Sequence, residues 1–598
     1  MADKPDNPFQ FWQELKRRKV IRVIPVYAAA SFVLLELVDI IAEPFGLPDW
    51  TLKLVVVLLS IGFIIAIILS WVYDITPEGI QKTESFEVAK EQELPSTPVK
   101  RKLRIGDVII ALLVVVVGIL LYPKIFKQDK LEDIRNDDEK SIVIAVLPFS
   151  NNKPDPETDY LGFAIADQII GGLDYIKNIT VRASGSIRKY EKQVIDPIIV
   201  GDDLKVDYVI IGSYLKEANI VRLNVELVET NRNEMIWRGD QIQVDYQNAF
   251  QLQDIVAQKV VEGLNVQFSQ KEFNRIRKDI PSNPLAYEFY LRSISYPLTN
   301  EGDRLAIEML NKSIELDSTY APAYGHLGFR INSAYYGLLN PEETLKAEDA
   351  LLKALSLNEE LLSALGELAM QYTESNRIEE AVELTKQMFE INPNNADAHF
   401  ALGYIYRFAG MNNYAIKEME RAIAIDPNNQ VFRSICITYM WAGEYEKAFD
   451  VLESFEPSSF TYRQAGFILF RQGKQEQAVK YFNQVIAMEP DGEPALFSAA
   501  AKACIENNIE VGLNIARTYE QYNMKDGESW YYNAGNYGLL GDRDGCIRCL
   551  HRAVDGGFFN YPFMLIDVFL DSVRDDPEFQ IILKQAQEKH LAFKKKFF

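Results

Sequence analysis

Residues 396–427 read ADAHFALGYIYRFAGMNNYAIKEMERAIAIDP. Apolar and small residues recur there at three- and four-residue steps in two blocks, parted at Gly410, which is the pattern of two amphipathic helices joined by a tight turn. Gly410 belongs to a series. Asn376, Gly410, Gly443, Gly473, Asn507 and Gly541 follow one another at intervals of 34, 33, 30, 34 and 34. Gly and Asn enter the left-handed backbone region cheaply, where other residue types lose about 1–2 kcal/mol. Five residues after each stand Ala381, Ala415, Ala448, Ala478, Gly512 and Cys546, small side chains suited to a close approach of two helices. A fixed period with two helices per unit predicts a stack of helical hairpins from about Pro284 to Phe558.

The units resemble the tetratricopeptide repeat (TPR) family residue by residue. The fourth carries His399 where the family has Trp, then Leu402-Gly403, Tyr406, Gly410, Ala415, Ala422 and Pro427. The sixth carries Tyr462, Ala465-Gly466, Gly473, Ala478, Phe482 and Pro490, and the eighth Trp530, Ala534, Tyr537 and Gly541. Unit two fits at Gly328 but has about seven extra residues before Ala347, and unit one, around Tyr290 to Asp317, is looser still. Drift of this kind is expected of terminal repeats, which act as caps. About eight repeats are expected over 284–558, followed by capping helices over 559–598.

Across 598 residues, 48% hydrophobic and 25% charged, the chain has the composition of several globular domains. Its net charge of −22 is uneven: residues 1–104 hold 13 Lys/Arg against 13 Asp/Glu, so the excess lies in the remainder, 50 against 72. An acidic body repels phosphate backbones, which argues against a nucleic-acid partner. Among the four cysteines, Cys546 and Cys549 form a C-x-x-C, but Cys546 falls in the small-residue slot of a repeat, which favours packing over metal or redox chemistry.

Near the N-terminus, Lys16, Arg17, Arg18, Lys19 and Arg22 precede an apolar run at 23–41. A second run follows at 52–72 and a third at 105–122, after a linker at 73–104 that ends in Lys100, Arg101, Lys102 and Arg104. Runs of about 20 residues match a bilayer core, and the basic flanks place the N-terminus in the cytoplasm. The expected architecture is therefore multidomain. It has N-terminal transmembrane helices in residues 1–127, a neck at 128–140, a small α/β domain with a mixed sheet at 141–270, and a C-terminal all-α TPR superhelix. On this expectation the protein is integral to a bacterial inner membrane, with the α/β and TPR domains in the periplasm.

Within 141–270, SIVIAVLPF (141–149) reads as a buried strand, 161–173 as a helix and 179–182 as a strand. Residues 206–215 and 220–228 read as strands joined by a turn at Ala218-Asn219, 234–244 as a fifth strand and 250–266 as a helix. The stretches AVLPF (145–149), VDYVIIGSY (206–214), IWRGD (236–240) and FQLQDIVAQKVVEGL (250–264) resemble the TolB-N-terminal-like (FlgO-like) α/β domain of bacterial membrane proteins. The phrases YDITPEG (73–79) and DDPEF (575–579) are similar to that family's architecture as well. Some members carry a nucleotide cyclase or a winged DNA-binding helix, so the resemblance implies an architecture rather than an activity.

No sequence motif for catalysis, metal binding or a cofactor is present: neither G-x-G-x-x-G nor G-x-x-x-x-G-K, no H-E-x-x-H and no G-x-S-x-G. His326, His399, His551 and His590 are scattered. What remains is a surface. The first helix of each TPR unit lines the concave groove at positions i, i+3, i+7 and i+10, which share one helical face. Those positions are Asp397, Phe400, Tyr404 and Arg407 in unit four, Gln430, Arg433, Ile437 and Met440 in unit five, and Phe460, Arg463, Phe467 and Phe470 in unit six, with Phe497 in unit seven. Arg433 and Arg463 hold the same repeat position, so both are expected to point into the groove beside aromatic rings, a seat for a carboxylate or an acidic peptide. The competing expectation is that the aromatics fill the core between repeats and the arginines lie over it. The functional expectation is a membrane-anchored scaffold that grips a peptide or protein partner. The alternative is a transmembrane receptor or sensor subunit that relays ligand binding to a cytoplasmic partner.

Overall fold

The computed structural model describes residues 142–598 except 192, 194–195, 233, 240, 247–250, 265–268, 335–340, 491 and 522–525, together with 73–76, 79–82 and isolated positions between 27 and 63. It divides into two units, 1–129 and 130–598. In the first, strands β1 (Tyr73–Thr76) and β2 (Gly79–Lys82) pair antiparallel, Tyr73 opposite Lys82. A hairpin thus stands at the start of the stretch read as a linker.

Among the described residues, no helix is long and apolar enough to cross a membrane. The longest helix described in the second unit, Pro577–Phe597, runs 21 residues but carries lysines and glutamates along its length, whereas a span needs about 20 largely apolar ones. This corrects the expectation of N-terminal transmembrane helices, and with it the inner-membrane, periplasm-facing location. The runs at 23–41, 52–72 and 105–122 fall almost wholly outside the described residues, as does the neck at 128–140.

The second unit begins with a mixed sheet. Its strands are β3 (Ile142–Val146), β4 (Ser150–Asn151), β5 (Ile179–Val181), β6 (Tyr208–Glu217), β7 (Ile220–Glu229), β8 (Glu234–Arg238) and β9 (Ile242–Asp245). Strands run in the order β5-β3-β6-β7-β8, parallel from β5 to β6 and antiparallel beyond, with β4 beside β6 and β9 beside β7. The stretch read as one fifth strand is two, β8 and β9. The break falls after Gly239, whose N–H bonds Val225 O (3.1 Å) and where a Cβ would meet the Trp237 ring at 2.5 Å. Helices α1 (Leu161–Leu173), α2 (Ser184–Ile187), α3 (Pro197–Leu204) and α4 (Gln251–Gly263) accompany the sheet, and α5 (Gln270–Ile276) leads out of it, started by a capping box of Ser269 and Glu272.

Sixteen helices then follow as eight consecutive pairs: α6 (Pro284–Ser295) with α7 (Asn300–Leu316), α8 (Ala321–Ala334) with α9 (Pro341–Leu357), α10 (Leu362–Glu374) with α11 (Ile378–Ile391), α12 (Ala396–Phe408) with α13 (Asn412–Ile425), α14 (Ile435–Trp441) with α15 (Tyr445–Glu453), α16 (Ser459–Arg471) with α17 (Gln475–Met488), α18 (Glu493–Ile505) with α19 (Ile509–Glu520), and α20 (Gly527–Leu539) with α21 (Arg543–Asp555). Two more, α22 (Tyr561–Met564) and α23 (Pro577–Phe597), close the chain.

Local chemistry explains the turns within pairs. Asn376, Gly410, Gly443, Gly473, Asn507 and Gly541 all have positive φ, between 57° and 80°. After each, the next N–H reaches back to a carbonyl five residues earlier, as Met411 N to Tyr406 O (2.8 Å) and Glu444 N to Tyr439 O (2.9 Å). This is a Schellman closure repeated six times. Ala381, Ala415, Ala448, Ala478, Gly512 and Cys546 are all buried, and the four cysteines are free thiols. Two turns separate the backbone requirement from packing. At Gly443 (φ +80°) an added Cβ meets open space. At Gly410 (φ +74°) it would stand 2.8 Å from Pro562 Cδ and 3.1 Å from Asn560 Cα. Gly443→Ala is expected to cost about 1–2 kcal/mol and Gly410→Ala roughly 1–3 kcal/mol more through overpacking. Thermal melts of the two variants check the difference.

The turns between pairs do a second job. Asp317, Asn358, Asn392 and Asp426 directly follow α7, α9, α11 and α13, and all are buried. Asp426 accepts from Ala183 N (3.2 Å) and Ser186 Oγ (3.1 Å), and Asn392 Nδ2 donates to Asp174 O (2.8 Å). Asn358 Nδ2 donates to Asp279 Oδ2 (2.7 Å), and Asp317 accepts from Ser282 N (2.6 Å). The array thus seats the α/β region, and the segment leading out of it, along the edge formed by its own inter-repeat turns.

Candidate functional site

The first helices of the pairs carry the residues expected to line a concave face. At the start of several of them a side chain takes up free backbone N–H groups: Asn395 before α12, Ser458 before α16 and Asp526 before α20, with Asn429 before the single turn Gln430–Ser434. Phe400 and Phe432 stack at 4.8 Å, and Tyr404 OH donates to Glu374 (3.0 Å). Arg407 is buried. It donates to Ser434 O (3.1 Å) and pairs with Glu528 (3.0 Å), which also accepts from Trp441 Nε1 (3.0 Å).

Of the residues expected to line the groove, Asp397 and Gln430 are exposed and Phe460 is half-buried, and the other ten separate into two sets. Phe400, Tyr404, Arg407, Ile437, Met440, Phe467, Phe470 and Phe497 are buried. Arg433 and Arg463 are half-buried, and both guanidinium groups meet the ring of half-buried Phe460, at 4.9 and 5.7 Å. Arg463 also reaches Phe497 (5.8 Å). Much of the covering comes from the chain's own C-terminal part. Trp441 packs on Tyr531, Tyr532 and Phe563, Phe470 on Phe569, and Phe408 on Phe558. Arg471 pairs with Asp567 (3.1 Å), and Phe559 N bonds Phe408 O (3.0 Å).

Sequence reasoning missed Glu367, Glu374, Asp526 and Asp174, and of this set named only Asp397. Glu367, Glu374, Asp526 and Asp174 are half-buried and Asp397 is exposed. Among the described residues none of the five forms an ion pair, whereas buried Asp303, Glu528 and Asp567 each have an arginine. Burial, reinforced by the Asp397 charge, pushes Glu367 and Asp174 up to about 7. Glu374 and Asp526 are raised too, first by burial, with the Asp526 charge adding to the rise at Glu374. Asp397 was assigned to the groove, but the others come from α10, from α1's end and from the start of α20, elements whose mutual approach no local pattern encodes.

These groups hold more protons folded than unfolded, where a carboxyl titrates near 4. Their contribution to stability is therefore present at low pH and lost as pH rises through 6 to 8. His326, held neutral by burial with its pKa lowered to about 3, works the other way only below about 6.5. Unfolding midpoints in urea should fall between pH 6.5 and 8.5, and the pair Glu367→Gln and Glu374→Gln should remove most of that fall.

The comparisons fit this layout in part. Residues 139–259 match the family model "HilA/YgeH-like transcriptional regulator, second domain", a different family from the TolB-N-terminal-like one expected. Residues 396–429 and 462–492 match tetratricopeptide-repeat models. A curated relative, "Putative adenylate cyclase 3" of Rhizobium meliloti (strain 1021), is 28% identical over 247 residues, 40% of this chain, and the match spans 41% of that relative's length. Among solved structures, PilW, a type IV pilus biogenesis factor, aligns with a TM-score of 0.29 at 16% identity, covering 36% of this chain and 98% of PilW. A tetratricopeptide repeat protein from Parabacteroides merdae aligns at 0.30 and 16%, covering 45% and 99%. The C-terminal region of this chain carries TPR repeats.

Proposed function

We propose that this protein is a TPR scaffold that holds a peptide or protein partner on the part of its concave face left open around Phe460. The observation that carries the reading is the pair Arg433 and Arg463, half-buried on one aromatic ring beside a run of buried aromatic and aliphatic side chains. Repeat arrays use such concave surfaces for binding, and arginine-aromatic clusters are where binding energy concentrates. A photo-crosslinking residue at position 460 of the full chain should trap the partner, and Arg433→Glu with Arg463→Glu should abolish trapping while leaving the melting curve in place. Trapping that survives the double reversal removes this site.

A second reading is a sensor module that passes ligand binding to an output partner. It is supported by the match to a transcriptional-regulator domain and by the relative named as a cyclase. It predicts slower hydrogen exchange at the Asp174–Asn392 and Asp426–Ser186 contacts when the partner is present; exchange indifferent to the partner argues against relay.

A further inference from the structure

We infer that the ends of α12, α14 and α16 form a second peptide seat, occupied here by the chain's own residues 558–570, and that a partner segment with the pattern Phe-x-x-x-Asp-x-Phe takes the seat by displacing them. The inference does not rest on the face around Phe460.

The resident segment lies on the array as a bound peptide does. Where a ninth helix pair would begin, the chain turns instead at Gly557 (φ +93°), so close to the turn after α10 that an added Cβ would stand 2.8 Å from Asn376 Cα. It then crosses the ends of α12, α14 and α16. From 556 to 576 its own regular structure is the four-residue helix α22 and a tight turn at Val568–Val573. What it touches therefore sets much of its course. Phe559 N bonds Phe408 O (3.0 Å), a carbonyl of the last turn of α12, where intrahelical partners run out. Asn560 Nδ2 bonds Arg407 O (3.0 Å) and Asn412 Oδ1 (2.8 Å).

Three inward side chains carry the pattern. Phe563 is buried against Trp441, ring centres 4.3 Å apart, and Phe569 against Phe470 at 5.0 Å. Between them Asp567 takes Arg471 through two contacts, at 3.1 and 3.2 Å. A buried ion pair adds little net stability, and its best-attested use is to fix register. The residues between these anchors point away: Leu565 is 43%, Ile566 55% and Val568 47% exposed. A few buried anchors among outward side chains is how binding energy is distributed at a peptide or protein interface. The same anchors on another chain meet the same three positions. Tethering gives the resident segment an effective concentration in the roughly millimolar range. A partner of micromolar affinity therefore enters only once the resident is loosened, which makes the segment an autoinhibitor.

The test is fluorescence anisotropy with a labelled synthetic peptide of residues 556–573. It is titrated with the full chain and with the full chain carrying Phe563→Ala and Asp567→Ala. The peptide should bind the loosened chain at least tenfold tighter than the unaltered one. A peptide with alanine at its own Phe563 and Asp567 positions should lose at least tenfold. Equal affinity for the two chains, equal binding of the two peptides, or no binding to a loosened chain that still melts cooperatively overturns the inference. Should that variant not fold, hydrogen exchange on the unaltered chain decides. The Phe559 amide should exchange at least tenfold faster than that of Leu402 in α12, because the segment lifts while the repeats hold; matched rates overturn the inference. Loosened chains that dimerise by exchanging their segments, seen by sedimentation, would give the seat to a second copy and overturn its assignment to a foreign partner.

Discussion

An Arg471→Met variant is expected to lose about 3–5 kcal/mol of stability, the cost of leaving one member of a buried ion pair without its partner. The Arg471 side chain is 2% exposed and that of Asp567 0%. Their contact is two-pronged, Nε to Oδ1 at 3.2 Å and Nη2 to Oδ2 at 3.1 Å, and Tyr531 OH donates to the same carboxylate at 3.1 Å. The guanidinium lies 3.8 Å from the centre of the Phe569 ring. Methionine fills much of the space but strands Asp567. Removing both charges, as Arg471→Met with Asp567→Leu, should recover much of the loss, because the stranded carboxylate and not the missing attraction dominates. Urea midpoints of the two variants check this. Equal losses in both would mean that the pair itself carries the stability.

Trp441→Ala should be comparably severe, about 3–5 kcal/mol for a large aromatic removed from a closed site. Its ring centre lies 4.3 Å from that of Phe563, 5.3 Å from Tyr532 and 5.5 Å from Tyr531, and its Nε1 donates to Glu528 at 3.0 Å. The residue joins the end of α14 to α20 and to the 558–570 segment, so its loss should expose that segment to proteolysis before the repeats unfold. Arg471 also faces the Trp441 and Phe563 rings, each at 5.7 Å. The two substitutions share partners, and their combined effect should fall short of the sum. Simple additivity would show that the C-terminal segment is held at independent points.

Closure by that segment explains why the groove list divided as it did. Met440, Phe467 and Phe470 sit on the helical face that periodicity assigns to the concavity. That periodicity is the same whether water, a partner or the chain's own tail covers the face. Arg407 makes the point most sharply. Its partner Glu528 lies 121 residues on, and nothing in either local pattern names the other. The signal for α/β docking was available and unread: Asp317, Asn358, Asn392 and Asp426 recur at steps of 41, 34 and 34, the longer step reflecting the extra residues in unit two. A repeated buried Asn or Asp at a helix end has one side-chain atom for its own turn and another to spend elsewhere.

What the sequence by itself determined is the repeat. Its period, the six left-handed turn residues and the small residues five positions later depend on contacts within about 35 residues, and those follow from backbone preference and side-chain size. The positions of the α/β strands along the chain were legible for the same reason, except β4 and the break where Gly239 parts β8 from β9; their order in the sheet, with β3 beside β6, was not. The tertiary structure alone decided which of the expected groove residues are buried, and which arginines are sealed in ion pairs. Those outcomes depend on how small rotations between successive helix pairs accumulate until distant parts of the chain meet, a sum over the whole array that no single stretch encodes.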